Sequence, residues 1–316
     1  MRTLFLGSPP FATPVFRRLA GSVHRPLALI TPPDRPRGRG RVVEPSALVL
    51  VARELGIPVF QPANPHQPEL LDELRSLEPE VLVVASYGVI MKQELLDLPS
   101  QCCLNVHASL LPRHRGASPI QAAIAAGDER TGVSVQRIVP ALDEGDVLLS
   151  RERAIGPTET SGDLLAALSE LGAEAAVEGL DQLAAGTAVF TPQDPEHATY
   201  ARKLAKRQGR IDWSRPAPEL ERHVRAMTPW PGARFAWRKG REVAVLETRA
   251  VPEVACDTAE PGTLLESTPR MVVATGAGGL ELVSVAPAGK RPMSGTEFLR
   301  GARLEPGQSL PSYEEA

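Results

Sequence analysis

Along the first part of the chain, short continuous apolar runs alternate with stretches whose apolar residues recur every three or four positions. TLFLG (Thr3–Gly7), PLALIT (Pro26–Thr31), IPVF, EVLVVAS (Glu80–Ser86) and CCLNVH (Cys102–His107) are runs of the first kind. They lack the alternation of a half-exposed strand, which predicts strands buried on both faces, as a parallel sheet requires. FATPVFRRLA, opened near Pro10, and the stretches Pro45–Leu55, Gln67–Leu77 and Ser118–Ala126 carry helical spacing. The alternation predicts an α/β domain with a doubly wound, mostly parallel sheet. A long Ala/Leu/Glu-rich helix follows from Ser161 to Ala185, opened by the capping signal Thr160-Ser161-Gly162-Asp163 and ending at Gly186.

The pattern then changes. TPQDPEHATYARKLAKRQGR is polar and without sustained periodicity, so it reads as a connector. Beyond Ile211 comes one helix, Pro218–Met227, and then ARFAWR, EVAVLETRA, GTLLES, MVVATG and LELVSVAP, separated by Gly, Pro and charged residues. Short segments at such spacing predict a small β-barrel or sandwich, and an OB-like barrel is the expected form. The expected organisation is a catalytic-type α/β domain over 1–189, a linker over 190–208 and a β-barrel domain over 209–316.

Composition narrows the class of protein. At 316 residues, 42% hydrophobic and 23% charged, the chain suits two globular domains rather than a disordered segment. No window approaches 18 uncharged apolar residues, so no membrane span is expected, and MRTLFLGSPPF is too short for a signal peptide. The three cysteines, Cys102, Cys103 and Cys256, form neither a disulfide framework nor a metal-ligand spacing. A reducing, cytoplasmic location is expected. The net charge of −3 hides an uneven distribution. Between Arg202 and Arg241 twelve Lys/Arg face three acids, a local +9, which points to contact with a polyanion such as a phosphate backbone.

The chemistry concentrates in LNVHASLLPRHRGASPIQ (Leu104–Gln121) and ALDEGDVL (Ala141–Leu148). Asn105 and His107 stand at i and i+2 at the end of an apolar strand, so their side chains share one side. Ligands of open α/β sheets bind at that carboxyl edge. A buried amide and imidazole are costly unless something pairs them. Asp143 follows in a glycine-containing turn that can fold back. Amide, imidazole and carboxylate together supply an oxygen-stabilising donor, a proton-handling group and its orienting partner. Gly7-Ser8-Pro9 lacks the further glycines of a dinucleotide fingerprint. Ser109 has no GxSxG context, and Cys102 and Cys103 lie inside a strand, so covalent catalysis is not expected.

These motifs resemble the folate-dependent formyltransferases, in which Asn-x-His and a later Asp form the catalytic set. The resemblance extends through GSPPFATPVFRRL, PPDRPRGRG (Pro32–Gly40), VVASYGVI (Val83–Ile90), ARKLAKRQGRIDWS (Ala201–Ser214), MTPWPGA, PGTLLE and APAGKRPMS (Ala286–Ser294), covering nearly all of the chain. The later motifs are similar to those of the tRNA-modifying branch. Pro10, Arg37 and His114 depart from the pattern, where an acidic residue, no extra charge and a Trp are usual. The resemblance implies transfer of the formyl group of 10-formyltetrahydrofolate, without a metal, to the α-amine of methionine on initiator tRNA. It implies Asn105, His107 and Asp143 as catalytic residues. Tyr87, Gly88, Val89, Ile90, Ser109, Leu110, Leu111 and Pro112 would form the folate pocket. Arg35, Arg37, Arg39 and Arg41 would meet the acceptor stem, and Lys203, Lys206 and Arg207 the tRNA backbone. A monomer with no obligate protein partner is implied. A sibling transferase acting on a small amine, such as a purine precursor or amino sugar, would share the catalytic set but not explain the basic segment. A non-catalytic RNA-binding module would leave the catalytic set without a purpose.

Overall fold

Thr3–Gly7 forms β1, buried along its whole length because neighbours cover both its edges and both its faces. The computed structural model describes residues 1–36, 43–237, 241–253, 259–266 and 269–310. In chain order β1 is followed by α1 (Ala12–Ala20), β2 (Pro26–Ile30), α2 (Ala47–Glu54), β3 (Val59–Phe60), α3 (Pro68–Ser76) and β4 (Val81–Ala85). Then come α4 (Gln93–Leu96), β5 (Cys102–His107), β6 (Arg115–Gly116), α5 (Pro119–Ala126), β7 (Arg130–Arg137), β8 (Val147–Ala154) and α6 (Ser161–Ala184). The remaining elements are β9 (Tyr200–Ala201), α7 (Ala217–Met227), β10 (Ala233–Trp237), β11 (Arg241–Val251), β12 (Leu264–Glu266), β13 (Val272–Ala274), β14 (Gly279–Pro287), β15 (Met293–Ser294) and α8 (Gly295–Ala302).

The chain divides into two units. One comprises 1–119, 130–154 and 165–202, the other 120–129, 155–164 and 203–316.

The first unit holds a seven-stranded sheet in the order β3-β2-β1-β4-β5-β7-β8. Its first five strands run parallel, as the continuous apolar runs predict. The last two are antiparallel, β7 to β5 and β8 to β7. On one face Leu4, Leu6, Ala28, Ile30, Leu82 and Val84, all at i, i+2 spacing, meet Leu70, Leu71 and Leu74 of α3. On β1 the side chain between them, Phe5, packs against Phe16 of α1, with ring centroids 5.2 Å apart. Gly172 of α6 lets that helix approach the sheet, since a Cβ there would stand 3.0 Å from Val106 of β5. The polar stretch read as a connector is seated on this unit over residues 191–201. Thr191 exchanges backbone hydrogen bonds with Val147, and β9 pairs with β6.

The second unit holds an antiparallel sheet in the order β10-β11-β14-β13-β12, with β15 on β14. In its core Phe235 meets Phe298 edge to face and Trp213 at a tilt. The capping signal before α6 forms: Thr160 N–H and Oγ1 donate to Asp163 Oδ2. A second capping box, Ser294 with Glu297, opens α8, a helix the sequence pattern did not announce. Among the described residues no helix is long and apolar enough to cross a membrane.

Candidate active site

The site is built at the carboxyl edge of β5, where the parallel half of the sheet meets the antiparallel half. Register places Gln136 of β7 opposite Asn105 and Ser134 opposite His107. Asn105 and His107 thus share their side of the sheet with two further polar side chains, since facing residues on paired strands point the same way. The chain leaves β5 through a loop that Ser134 pins: its Oγ donates to Ser109 O at 2.8 Å and accepts from Leu111 N–H at 3.1 Å.

Asp143 arrives from the turn before β8, and four groups converge on its two carboxylate oxygens. Gly116 N–H donates to Oδ2 at 2.8 Å, and His107 Nδ1 lies 3.7 Å from the same oxygen. Gln136 Nε2 donates to Oδ1 at 2.9 Å, with Asn105 Nδ2 at 3.4 Å. His107 Nε2 donates to His114 O at 2.9 Å. A carbonyl only accepts, so Nε2 carries a proton and Nδ1 is the ring nitrogen turned toward Asp143. The His107 and Asp143 side chains are only 6% and 13% exposed, so their attraction is little screened.

Gly145 closes this turn against β7, where a Cβ would stand 1.8 Å from Arg137 O. Strain marks the same region. Five described non-glycine residues have positive φ, and three of them lie around the site: Ser86 (51°) and His114 (57°) in loops that leave the sheet at this edge, and Asp143 (53°) in the β7–β8 connection that folds back to it. Such conformations persist where surrounding contacts over-determine them, often at functional sites.

The structure places the other expected residues as follows. Tyr87–Ile90 leave β4, the strand paired with β5, so they stand at the same sheet edge as Ser109–Pro112. Tyr87 is buried, and desolvation pushes its hydroxyl up to about 12, so it stays neutral. Gly88 is exposed with φ 74°, and Val89 and Ile90 expose apolar side chains. Ser109 is buried, and Leu110, Leu111 and Pro112 are half-buried. Exposed and half-buried apolar groups beside backbone amides suit a flat, hydrogen-bonding heterocycle. Arg35, Lys203, Lys206 and Arg207 are exposed; Arg37, Arg39 and Arg41 lie outside the described residues. Burial raises the thiols of Cys102 and Cys103, the latter to about 12, which leaves them protonated and poor nucleophiles.

The family model for the formyl transferase domain matches residues 1–180, and that for the formyl transferase C-terminal domain matches 203–303. The chain is 42% identical over 311 residues to the methionyl-tRNA formyltransferase of Parvibaculum lavamentivorans, covering 98% of this chain and 100% of that protein. It is 44% identical over 304 residues to that of Methylococcus capsulatus, covering 96% and 98%.

The chain belongs to the methionyl-tRNA formyltransferase family.

Solved structures share the fold at low identity. An N-formyltransferase from Helicobacter canadensis, in complex with folinic acid and dTDP-3-aminofucose, superimposes with a TM-score of 0.67 at 14% identity, covering 91% of this chain and 99% of that one. HypX from Aquifex aeolicus, in complex with tetrahydrofolic acid, gives 0.59 at 19% identity, covering 95% of this chain. The chain spans about half the length of HypX (47%). As a formyltransferase the chain handles a carbonyl carbon, and the convergence of amide, imidazole and carboxylate suits that chemistry. Sequence reasoning missed three residues that the structure brings to Asp143: Gln136, which donates to its carboxylate, Gln193, which donates to Gln136, and Arg115, which donates to Gln193. The available signal was a long polar side chain, Gln136, directly after the apolar Val135 in VSVQR; Gln193 had none.

Proposed function

We propose that this formyltransferase passes the formyl group of 10-formyltetrahydrofolate to the α-amine of methionyl initiator tRNA, in the cytoplasm, and that Asn105, His107 and Asp143 carry the transfer. The observation that supports this most is the single carboxylate, Asp143, held at once by Asn105, His107 and Gly116 N–H.

The amine nitrogen attacks the formyl carbon, and the carbonyl π pair moves onto oxygen to give a tetrahedral oxyanion. Collapse re-forms the carbonyl and breaks the bond to the folate N10, which leaves with the electron pair. The amine loses a proton and N10 gains one, so the exchange balances without a redox partner. Asn105 offers its amide N–H groups to the oxyanion, and His107 offers a protonated Nδ1. Such donors, fixed before the charge develops, are worth about 100–1000-fold each in rate. Asp143 stabilises the charged ring and serves, with His107, as the station through which the proton travels from amine to N10. Tyr87–Ile90 and Ser109–Pro112 would bind the folate ring system. Arg35, Arg37, Arg39 and Arg41 would meet the acceptor stem, with Lys203, Lys206 and Arg207 on backbone phosphates, an interaction that reads shape and charge.

The test is formyl transfer from 10-formyltetrahydrofolate to methionylated initiator tRNA, methionylated elongator tRNA and a nucleotide-linked amino sugar. Transfer should favour the charged initiator tRNA, and tRNA affinity should fall steeply as salt rises. Efficient transfer to the amino sugar with none to either tRNA would overturn the reading.

A further inference from the structure

The amides beside Asp143, Gln136 buried and Gln193 half-buried, form a hydrogen-bonded chain whose direction is fixed at both ends. Arg115 is buried, with its Nη1 3.1 Å from Glu144, and its guanidinium can only donate. The Gln193 atom it meets, 3.1 Å from Nε and 2.9 Å from Nη2, is therefore the amide oxygen. That turns Gln193 Nε2 toward Gln136 Oε1 at 3.1 Å, and Gln136 Nε2 in turn toward Asp143 Oδ1 at 2.9 Å. Every link donates toward the carboxylate, so each amide is polarised in the same sense. Gln193 Nε2 shares its two N–H groups among Gln136 Oε1 and the backbone carbonyls of Asp143 at 2.8 Å and Gly145 at 2.7 Å. One amide thus holds both the main chain of the turn and, through Gln136, the side chain it presents.

The segment that supplies Gln193 also secures the other partner. Thr199 Oγ1 accepts from His114 N–H at 2.8 Å, and the His114 carbonyl is the acceptor for His107 Nε2. Ala201 O accepts from Ala117 N–H at 2.9 Å, next to the Gly116 amide that meets Asp143.

We infer that Gln193 and Gln136 are positioning residues for formyl transfer: a one-way donor chain, Arg115 to Gln193 to Gln136 to Asp143, aims the carboxylate at His107. The inference rests on the role proposed above for Asp143, and it gives the segment 191–201 a part in catalysis rather than in joining domains. A chain that sets orientation must be sensitive to polarity and not only to volume. Gln193→Glu preserves shape and still accepts from Arg115, but has nothing to donate to Gln136, Asp143 O or Gly145 O. Gln136→Leu removes the last link and keeps the volume.

The experiment measures kcat, KM for both substrates and the pH profile of kcat in the intact protein, with hydrogen exchange at the Gly116 amide as a readout independent of activity. Both variants should lose about 10- to 100-fold in kcat, the scale of one hydrogen bond to a charged group. KM should change far less, the kcat–pH profile should be displaced, and Gly116 exchange should speed up. Should Gln193→Glu fail to fold, Gln136→Leu decides alone. Wild-type kcat, pH profile and Gly116 exchange in a folded variant would overturn the inference. If wild-type protein does not formylate methionyl-tRNA, the functional reading falls and the donor chain is judged by Gly116 exchange alone, with unchanged exchange overturning it.

Discussion

The five parallel strands of the first sheet and the two antiparallel strands beside them are made from different residues. TLFLG, PLALI and VLVVA bury apolar side chains almost throughout. RTGVSVQR buries Thr131, Ser134 and Gln136. A buried polar side chain costs stability unless it is paired, so a strand that carries three is arranged around partners. On β7 those partners include the β5 exit loop, reached by Ser134, and Asp143, reached by Gln136. The parallel half is scaffold, and the seam between β5 and β7 is where apolar packing gives way to the polar cluster proposed to carry the transfer.

Substitutions on the two sides of the seam should therefore fail in opposite ways. The largest effect is expected for Asp143→Asn, which keeps the shape but removes the charge. Turnover should fall at least 100-fold while the urea midpoint stays near wild type, and retention of more than about a tenth of the rate would break the contrast. Leu82→Ala, in the fully buried centre of β4, should do the reverse. It should cost about 2–5 kcal/mol in urea unfolding, with kcat per folded molecule unchanged.

A smaller effect sharpens the comparison through a second buried histidine. His107 has a carboxylate beside it, whereas His223 of α7 has the Arg215 guanidinium. Burial first, and that cation second, hold the His223 imidazole down at about 4. The unfolded chain would take up a proton near pH 6.5 that the folded unit refuses. The stability this neutral ring contributes is complete above pH 6.5 and is lost as pH falls toward 4, by at most about 3 kcal/mol. Replacing it by His223→Gln should flatten urea midpoints between pH 6.5 and 4. An unaltered acid limb would contradict this.

How much of this was legible in the sequence follows the same division. The parallel strands were readable because burial on both faces demands uninterrupted apolar runs. Asn105 and His107 were readable as polar residues at the end of one such run, and Asp143 as an acid in a glycine-containing turn able to fold back, which the resemblance to folate-dependent formyltransferases singled out further. β7 escaped because Gly132, Ser134 and Gln136 interrupt its apolar pattern, and β8 because SRER exposes charges along its second half. Gln193 escaped because nothing in a polar, aperiodic stretch distinguishes an amide that meets solvent from one that meets the Asp143 turn. Its role depends on long-range pairing with β7 and the turn at Gly145. α8 escaped because eight residues bounded by Ser294 and interrupted by Gly301 give too short a periodic signal.

The most direct test of the account is a double-mutant cycle in single-turnover formyl transfer to methionyl initiator tRNA, using Asn105→Ala, His107→Ala and the pair. Groups that stabilise one developing charge as a unit are strongly non-additive. Each single variant should lose about 100–1000-fold, and the double variant should be about as slow as the slower single. Losses that multiply, or a single variant within tenfold of wild type, would contradict the claim that these side chains act together on one carbonyl.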